Sequence, residues 1–534
     1  MTAIPTPVER EGFYSGQNRW VSITVKMMVV SLVLWASLAR DAGDILMGIQ
    51  AGTIDVFGSW YIYASATFMA MSLLLALIPA TGSIRLGARE DAPEFSRFAW
   101  FSMMFGAGIG VGMLTYSTAE PLAHFANNPD VIMGASTALE PNNLPAAYKW
   151  TLLHYGLTPW GCYAIVGMSL AYFAYRRNMP LTIRSPFTAV MGPEAGRRVG
   201  AVVDAAAILA TIIGIGVTIG YGVNQLTFGA HQITEWSWLV DAGSPSLLAL
   251  SLAVIFLTLA AMLSALSGIG RGIRWLSNLN MALSWLLLII FIGFGATVFA
   301  GEMFVAGLIE YIGAIGPMSL TVWENDGTAV GQALSNWQSA WSIFYWAWWI
   351  AFTPFVGLFL ARVSQGRTIR EYVFGAIILP SLMCFAWFCI IGGTALDLEL
   401  SGVAKGAILE ADLSAQLFAT VNTLFSQEWV LPVSSLCVLL LITYLVTSAD
   451  SAVLVINTIV SGGAPDGVRP RHVVLWSILL GMVIITLLFA GGMDALRSVM
   501  IIGALPFSVV MLFMLCALLF AMWRDREKNR ARRS

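Results

Sequence analysis

Gly106-Ala107-Gly108-Ile109-Gly110-Val111-Gly112 sets four glycines at alternate positions inside an uncharged apolar segment, where a membrane helix is expected. Each glycine in a helix interior costs about 1 kcal/mol relative to alanine. A small-residue packing seam could use the pairs Gly106/Gly110 and Gly108/Gly112, but such a seam needs glycine on one face. Alternate spacing puts them on both faces, so the run is read as unwound backbone. Its freed amides can hold a carboxylate and its freed carbonyls a cation, and broken backbone at membrane depth lines a site. Gly108-Ile109-Gly110 also begins like a dinucleotide fingerprint, but it follows no strand and is followed by no acid at the required distance, which excludes nucleotide chemistry.

The surroundings of this run are those of a membrane protein. Of 534 residues 58% are hydrophobic and 11% charged, and apolar stretches of about 20 residues recur from end to end. Spans are predicted near 22–40, 60–80, 98–117, 147–175, 200–223, 247–267, 277–300, 337–361, 372–395, 429–460, 473–490 and 499–523. With twelve spans both termini face one side. Lys and Arg collect in cytoplasmic loops, and under this count 24 of the 28 basic residues fall on one face, leaving Arg40, Lys149, Lys405 and Arg497 opposite. A miscounted helix would scramble that partition, so an all-α polytopic protein of the inner (cytoplasmic) membrane with both termini cytoplasmic is expected. The first 20 residues mix acids with Arg and lack a small-residue cleavage site, so a retained first helix is expected.

Three longer intervals, 118–146, 301–336 and 396–428, lie outside. Within the middle one, Glu302–Ile312 alternates polar and apolar residues in the manner of a short helix lying on the membrane surface. It separates two groups of five helices. Each opens with an oddity: the Gly run in the third helix, and Tyr345-Trp346-Ala347-Trp348-Trp349-Ile350-Ala351-Phe352-Thr353-Pro354 in the eighth. Five plus five with matching breaks is the pattern of an inverted repeat with a site at mid-membrane. The expected organisation is 1–96 for the N-terminal segment and two peripheral helices, 97–300 for the first repeat, 301–336 for the connector, 337–523 for the second repeat and 524–534 for a short basic tail.

Tryptophan usually anchors at the interface, so Trp346, Trp348 and Trp349 with Tyr345 and Phe352 in mid-span need either core packing or a ligand. Trp150, Tyr155, Trp160 and Tyr163 form a second cluster beside Pro159. Aromatic faces attract cations that lack hydrogen-bond donors, such as quaternary ammonium or sulfonium, by about 0.5–2 kcal/mol each. Thr447-Ser448-Ala449-Asp450-Ser451 brings three hydroxyls and an acid into the tenth span, suited to sodium if backbone carbonyls complete the shell; bonding of the hydroxyls to their own helix is the commoner fate. Asp450 and Glu120 are read as structural. The five cysteines have no disulfide spacing, and His124, His154, His231 and His472 are dispersed in sequence, which leaves metal chemistry no motif. No nucleophile with its base and no cofactor motif marks an enzyme, and a channel would need a continuous polar path.

Together these segments resemble the betaine/choline/carnitine transporter family over nearly the whole chain. The most specific stretches are Gly108–Gly112 with Ala119-Glu120-Pro121, Phe344–Arg362 continuing through Ser364-Gln365-Gly366-Arg367-Thr368-Ile369-Arg370-Glu371, and Thr447–Ser451. The resemblance implies a LeuT-type fold with two extra N-terminal helices, a homotrimer, and alternating-access import of a small onium solute across the lipid bilayer, with no nucleic-acid partner and no cofactor beyond sodium as coupling ion. It maps an aromatic box onto Tyr155, Trp160, Tyr163 and Trp349, with Trp348 and Phe352 nearby; Tyr155 and Phe352 stand where tryptophan is common in relatives. Choline carriers often place an acid where this chain has Gly112. The glycine there favours a zwitterion, glycine betaine or a sulfonium analogue such as dimethylsulfoniopropionate, its carboxylate held by amides of Gly108, Gly110 and Gly112. The resemblance further implies one sodium site at Gly106, Ile109, Tyr444, Thr447 and Ser448, and a second at Thr211 and Phe355 that Ile215 weakens. Proton-coupled or sodium-independent carriage of choline, carnitine or ectoine is the alternative. The basic stub Arg524–Ser534 implies little osmotic sensing of its own.

Overall fold

The computed structural model describes residues 8–9, 11–88, 90–108, 110–267, 274–463 and 469–531. They are almost wholly helical, with one two-stranded antiparallel hairpin pairing Val240–Asp241 with Ser244–Pro245. The main helices are α1 (Arg19–Leu38), α2 (Ala42–Leu77), α3 (Arg97–Gly108), α4 (Val111–Ala126), α5 (Leu144–Tyr155), α6 (Leu157–Ala171), α7 (Pro193–Thr234), α8 (Leu247–Ser267), α9 (Arg274–Phe294), α10 (Thr297–Leu320), α11 (Phe344–Val363), α12 (Leu379–Leu400), α13 (Gln427–Val460) and α14 (Pro470–Ala531). Among the described residues ten helices are long and apolar enough to cross a membrane.

Local chemistry sets several boundaries. The Asn18 side chain accepts from the Val21 amide at the start of α1, and Thr368 with Glu371 forms a reciprocal capping box before Ile369. α14 is divided by Gly491 and Gly492, whose backbone is non-helical. Gly492 has φ +64°, a left-handed conformation that glycine enters without penalty.

The interruptions differ in detail from the sequence expectation. α3 remains helical through Gly108, so Gly106 and Gly108 are wound; the described part of the break is Gly110, at φ −170° and ψ −145°. The Trp/Pro run is a continuous helix, α11, which carries Pro354 internally and is preceded by a π-turn over Ser339–Ile343. The ring of Pro354 removes one amide from the helical ladder, and that loss does not divide α11. A second break falls instead at Gly156, φ −94° and ψ −140°, between α5 and α6.

The core is built where α11 packs on α6 and α7, and where α13 and α14 pack on α7. Around it α2 covers α6 and α14. α10 is 24 residues long, more than the alternation over 302–312 indicated. One side packs on α5 and α12 through Ala300, Gly307 and Tyr311, while Val298, Val305, Ile309 and Ile312 are exposed.

Candidate functional site

The break at Gly156 puts Tyr155 on the last turn of α5, and Trp160 and Tyr163, three residues apart, on one face of α6. All three meet Trp349 of α11. Ring centroids lie 5.7 Å apart for Tyr155–Trp349, 6.1 Å for Trp160–Trp349, 5.3 Å for Tyr163–Trp349 and 5.7 Å for Trp160–Tyr163, mostly edge to face. The four side chains are buried. The Trp160 indole donates to the Tyr155 carbonyl at 3.2 Å and ties the rings across the break. Phe388 of α12 closes the Tyr155 side at 4.3 Å. The Trp349 indole nitrogen is buried with no hydrogen-bond partner among the described residues. An unpaired buried donor costs about 1–3 kcal/mol, and it is available to a ligand acceptor.

Trp348 and Phe352 point elsewhere. Trp348 donates to Thr218 Oγ1 at 3.0 Å, stacks on Tyr221 at 5.6 Å and lies 5.9 Å from Tyr116. Phe352 meets Phe355 at 6.2 Å and lies against Gly214 of α7. Trp150 joins Trp337 and Trp323, away from the other members of its cluster. Gly112 sits between the two aromatic groups: a Cβ there would lie 3.5 Å from Trp348 and 3.6 Å from the Tyr155 hydroxyl, which donates to the Gly112 carbonyl at 3.3 Å. Gly110 faces α13, with Ser448 Oγ 3.9 Å and Tyr444 4.0 Å from an added Cβ. Ile109 lies outside the described residues.

On α13 the Thr447 hydroxyl bonds back to the Thr443 and Tyr444 carbonyls at 2.9 and 3.1 Å and accepts from Asn280 Nδ2 of α9 at 2.9 Å. Asn280 Oδ1 is buried and unpartnered among the described residues. Tyr444 bonds Ser284 at 2.8 Å. Asp450 accepts from Ser264 and Ser451, a structural pairing. Thr447, Ser448 and the unpartnered Asn280 Oδ1 are oxygens of the hard type a sodium ion takes, although the Asn280 amide presents Nδ2 and not Oδ1 to Thr447. Thr211 bonds back to Ala207 at 2.8 Å, and Ile215, one turn on, is buried hydrocarbon. Of the two side chains one turn apart that the resemblance pairs at the second site, only Thr211 carries an oxygen.

The folded chain also assembles a cluster that the dispersed histidines concealed. Glu120 Oε1 accepts from His154 Nδ1 and lies 3.2 Å from His124 Nε2, while Glu120 Oε2 accepts from the Tyr345 hydroxyl at 2.6 Å. His154 Nε2 lies 3.1 Å from Ser342 Oγ, and its ring stacks on Tyr345 at 4.7 Å. All three ionisable side chains are fully buried. The only sequence signal was the helical spacing of Glu120 and His124; His154 arrives from another element. Asn280 had no signal at all.

Residues 20–527 match the family model described as betaine/carnitine/choline family transporter. The glycine betaine transporter OpuD of Bacillus subtilis is 34% identical over 516 residues, covering 95% of this chain and 94% of that one. A glycine betaine/proline/choline/ectoine transporter of Vibrio parahaemolyticus is 34% identical over 499 residues, 92% of this chain and 84% of its own. The high-affinity choline transport protein of Escherichia coli K12 is 34% identical over 508 residues, 94% and 71% respectively.

Proposed function

The chain belongs to the betaine/carnitine/choline transporter family, a family of membrane transporters and not of enzymes, and from that premise we propose that it imports a zwitterionic onium solute, glycine betaine or a sulfonium analogue such as dimethylsulfoniopropionate. The observation that carries this reading is the buried aromatic cluster in which Tyr155, Trp160 and Tyr163 each meet Trp349. A trimethylammonium or dimethylsulfonium group has no donors, so desolvated aromatic faces hold it without a buried counter-charge. The rest of the solute needs acceptor recognition. The free Trp349 indole N–H and the interrupted backbone at Gly110 supply donors for a carboxylate, and Gly112 adds no negative charge to repel it.

Further parts of the same reading concern topology and coupling. Twelve spans result if α3 with α4 and α5 with α6 each form one interrupted span, α14 is divided at Gly491–Gly492, and α10 lies along the surface. Both termini are then cytoplasmic and the assembly is the homotrimer the family resemblance implies. Sodium couples through Thr447, Ser448, Tyr444 and the backbone near Gly106 and Ile109, with Asn280 as an added ligand. Carriage of choline, carnitine or ectoine, with proton coupling or none, is the second reading; the names of the Vibrio and Escherichia relatives favour its choline and ectoine parts.

Calorimetric titration of the purified protein with glycine betaine tests the box. Trp349→Ala is expected to weaken binding about two- to thirtyfold, the equivalent of about 0.5–2 kcal/mol, with membrane insertion and yield unchanged. Wild-type affinity in that variant places the onium group elsewhere.

A further inference from the structure

Glu120 sits where three elements meet. It is carried by α4, it accepts from His154 of α5, and it accepts from Tyr345 of α11. In the proposed orientation this junction lies on the outer side of the aromatic box. A line of hydroxyls joins the two: Tyr345 bonds Glu120 at 2.6 Å, Tyr155 and Tyr345 hydroxyl oxygens are 3.3 Å apart, and Tyr155 donates to the Gly112 carbonyl at 3.3 Å. Tyrosine at 155 is what completes this line, because a tryptophan or phenylalanine ring has no hydroxyl to relay.

We propose that Glu120, supported by His124 and His154, is a proton-binding site, and that the Tyr345 and Tyr155 hydroxyls connect it to the box so that a proton moves with the solute. The inference rests on the solute reading above. With the outer side closed, the Glu120 carboxylate is compensated by three donors. Outward opening separates α11 from α4 and α5, withdraws the Tyr345 donor and exposes Oε2 to external water, from which it takes a proton. Reclosure returns the Tyr345 hydroxyl; on inward opening the proton passes from Oε2 to the Tyr345 oxygen as that hydroxyl turns its own proton to the Tyr155 oxygen and Tyr155 gives its proton to water entering the box from the cytoplasmic side, which leaves Glu120 ionised and both tyrosines neutral. Intramembrane ionisable clusters of this kind are recurrent proton relays. The second sodium position that the family resemblance implies is altered independently of this cluster: Thr211 bonds back to the Ala207 carbonyl at 2.8 Å, and Ile215, one turn on, brings no side-chain oxygen.

The ionisable groups around Glu120 are Tyr116 and His124 on its own helix, His154 and Tyr155 on α5, and Tyr345 on α11, whose ring lies 5.5 Å from that of Tyr116. The packed neighbours add Tyr221 on α7, the Cys384 and Cys389 thiols on α12 and Tyr444 on α13; Gln416–Leu424 carries none. Of the strong cations on neighbouring elements, Lys149 of α5 pairs with Asp130 at 2.9 Å and Arg497 lies 4.4 Å from the centroid of the Phe344 ring.

The test uses the full chain in proteoliposomes containing a pH dye, with the membrane potential clamped by valinomycin and potassium, and glycine betaine as the probe. With sodium and pH equal on both sides, solute counterflow needs no ion gradient and tests the solute reading by itself; internal acidification on adding external glycine betaine reads the proton. The expected result is both activities in the wild type, with Glu120→Gln and Tyr345→Phe keeping counterflow and losing acidification. Wild-type counterflow without acidification, or unchanged acidification in Glu120→Gln, overturns the proton site and leaves the solute reading standing. Absence of wild-type counterflow overturns both.

Discussion

Single side chains decide which solute this protein can hold, and Gly112 is the most telling. Its added Cβ would make ordinary contact with Trp348 and with the Tyr155 hydroxyl, so a short acidic side chain fits between the two aromatic groups. Gly112→Asp is expected to lower uptake of glycine betaine, by repulsion of its carboxylate, and to raise uptake of choline. Competition between the two labelled solutes checks it; unchanged preference would mean that the solute's far end lies away from residue 112. At the cation site, Thr447→Ala and Asn280→Ala should each raise the sodium concentration for half-maximal uptake about ten- to 150-fold, because losing an oxygen partner of a charge costs about 1.5–3 kcal/mol. Sodium titrations of uptake measure this, and an unmoved midpoint in both variants relocates the site. The two aromatic clusters are visible in the sequence as Trp and Tyr in mid-span, but the choice of Tyr155, Trp160, Tyr163 and Trp349 among them comes from the family resemblance, and Trp150 and Trp348 turn elsewhere. The Glu120 cluster is not visible there: His154 and Glu120 are 34 residues apart, with no periodicity to link them.

At the scale of elements, interruptions matter more than lengths. The Gly run marks a real break, whose described part is Gly110, since Gly106 and Gly108 stay within α3 and Gly112 lies in α4. The Trp/Pro run, expected as a matching break, is instead a continuous helix. The break that shapes the box, at Gly156, has no glycine run to announce it. There the Leu157 amide is satisfied by the Tyr311 hydroxyl of α10 at 2.9 Å, and a Cβ on residue 156 would come within 2.5 Å of that same hydroxyl and 2.9 Å of Phe385. The long connector helix thus supports the floor of the box from outside. Tyr311→Phe leaves a buried amide unpaired, at a cost of about 1–3 kcal/mol. We expect a lower thermal midpoint by scanning fluorimetry, together with weaker glycine betaine binding. A variant with wild-type stability would show that the connection is incidental.

For the molecule as a whole, hydropathy and basic-residue placement make the polytopic all-helical class plain from the amino-acid sequence alone, because bilayer thickness and loop charge act on every span alike. The count is harder to read from helix length: α14 joins two apolar segments across Gly491–Gly492, while α3 with α4 and α5 with α6 are divided. The central claim is that a closed aromatic box with donors at one end selects a zwitterionic onium solute and carries it with sodium. Its most direct test is uptake of labelled glycine betaine, dimethylsulfoniopropionate, choline and ectoine into a transporter-deficient cell, each with sodium and with potassium in its place. Saturable, sodium-dependent accumulation of the first two with little choline is the predicted result. Strong choline uptake, or accumulation indifferent to sodium, would contradict it.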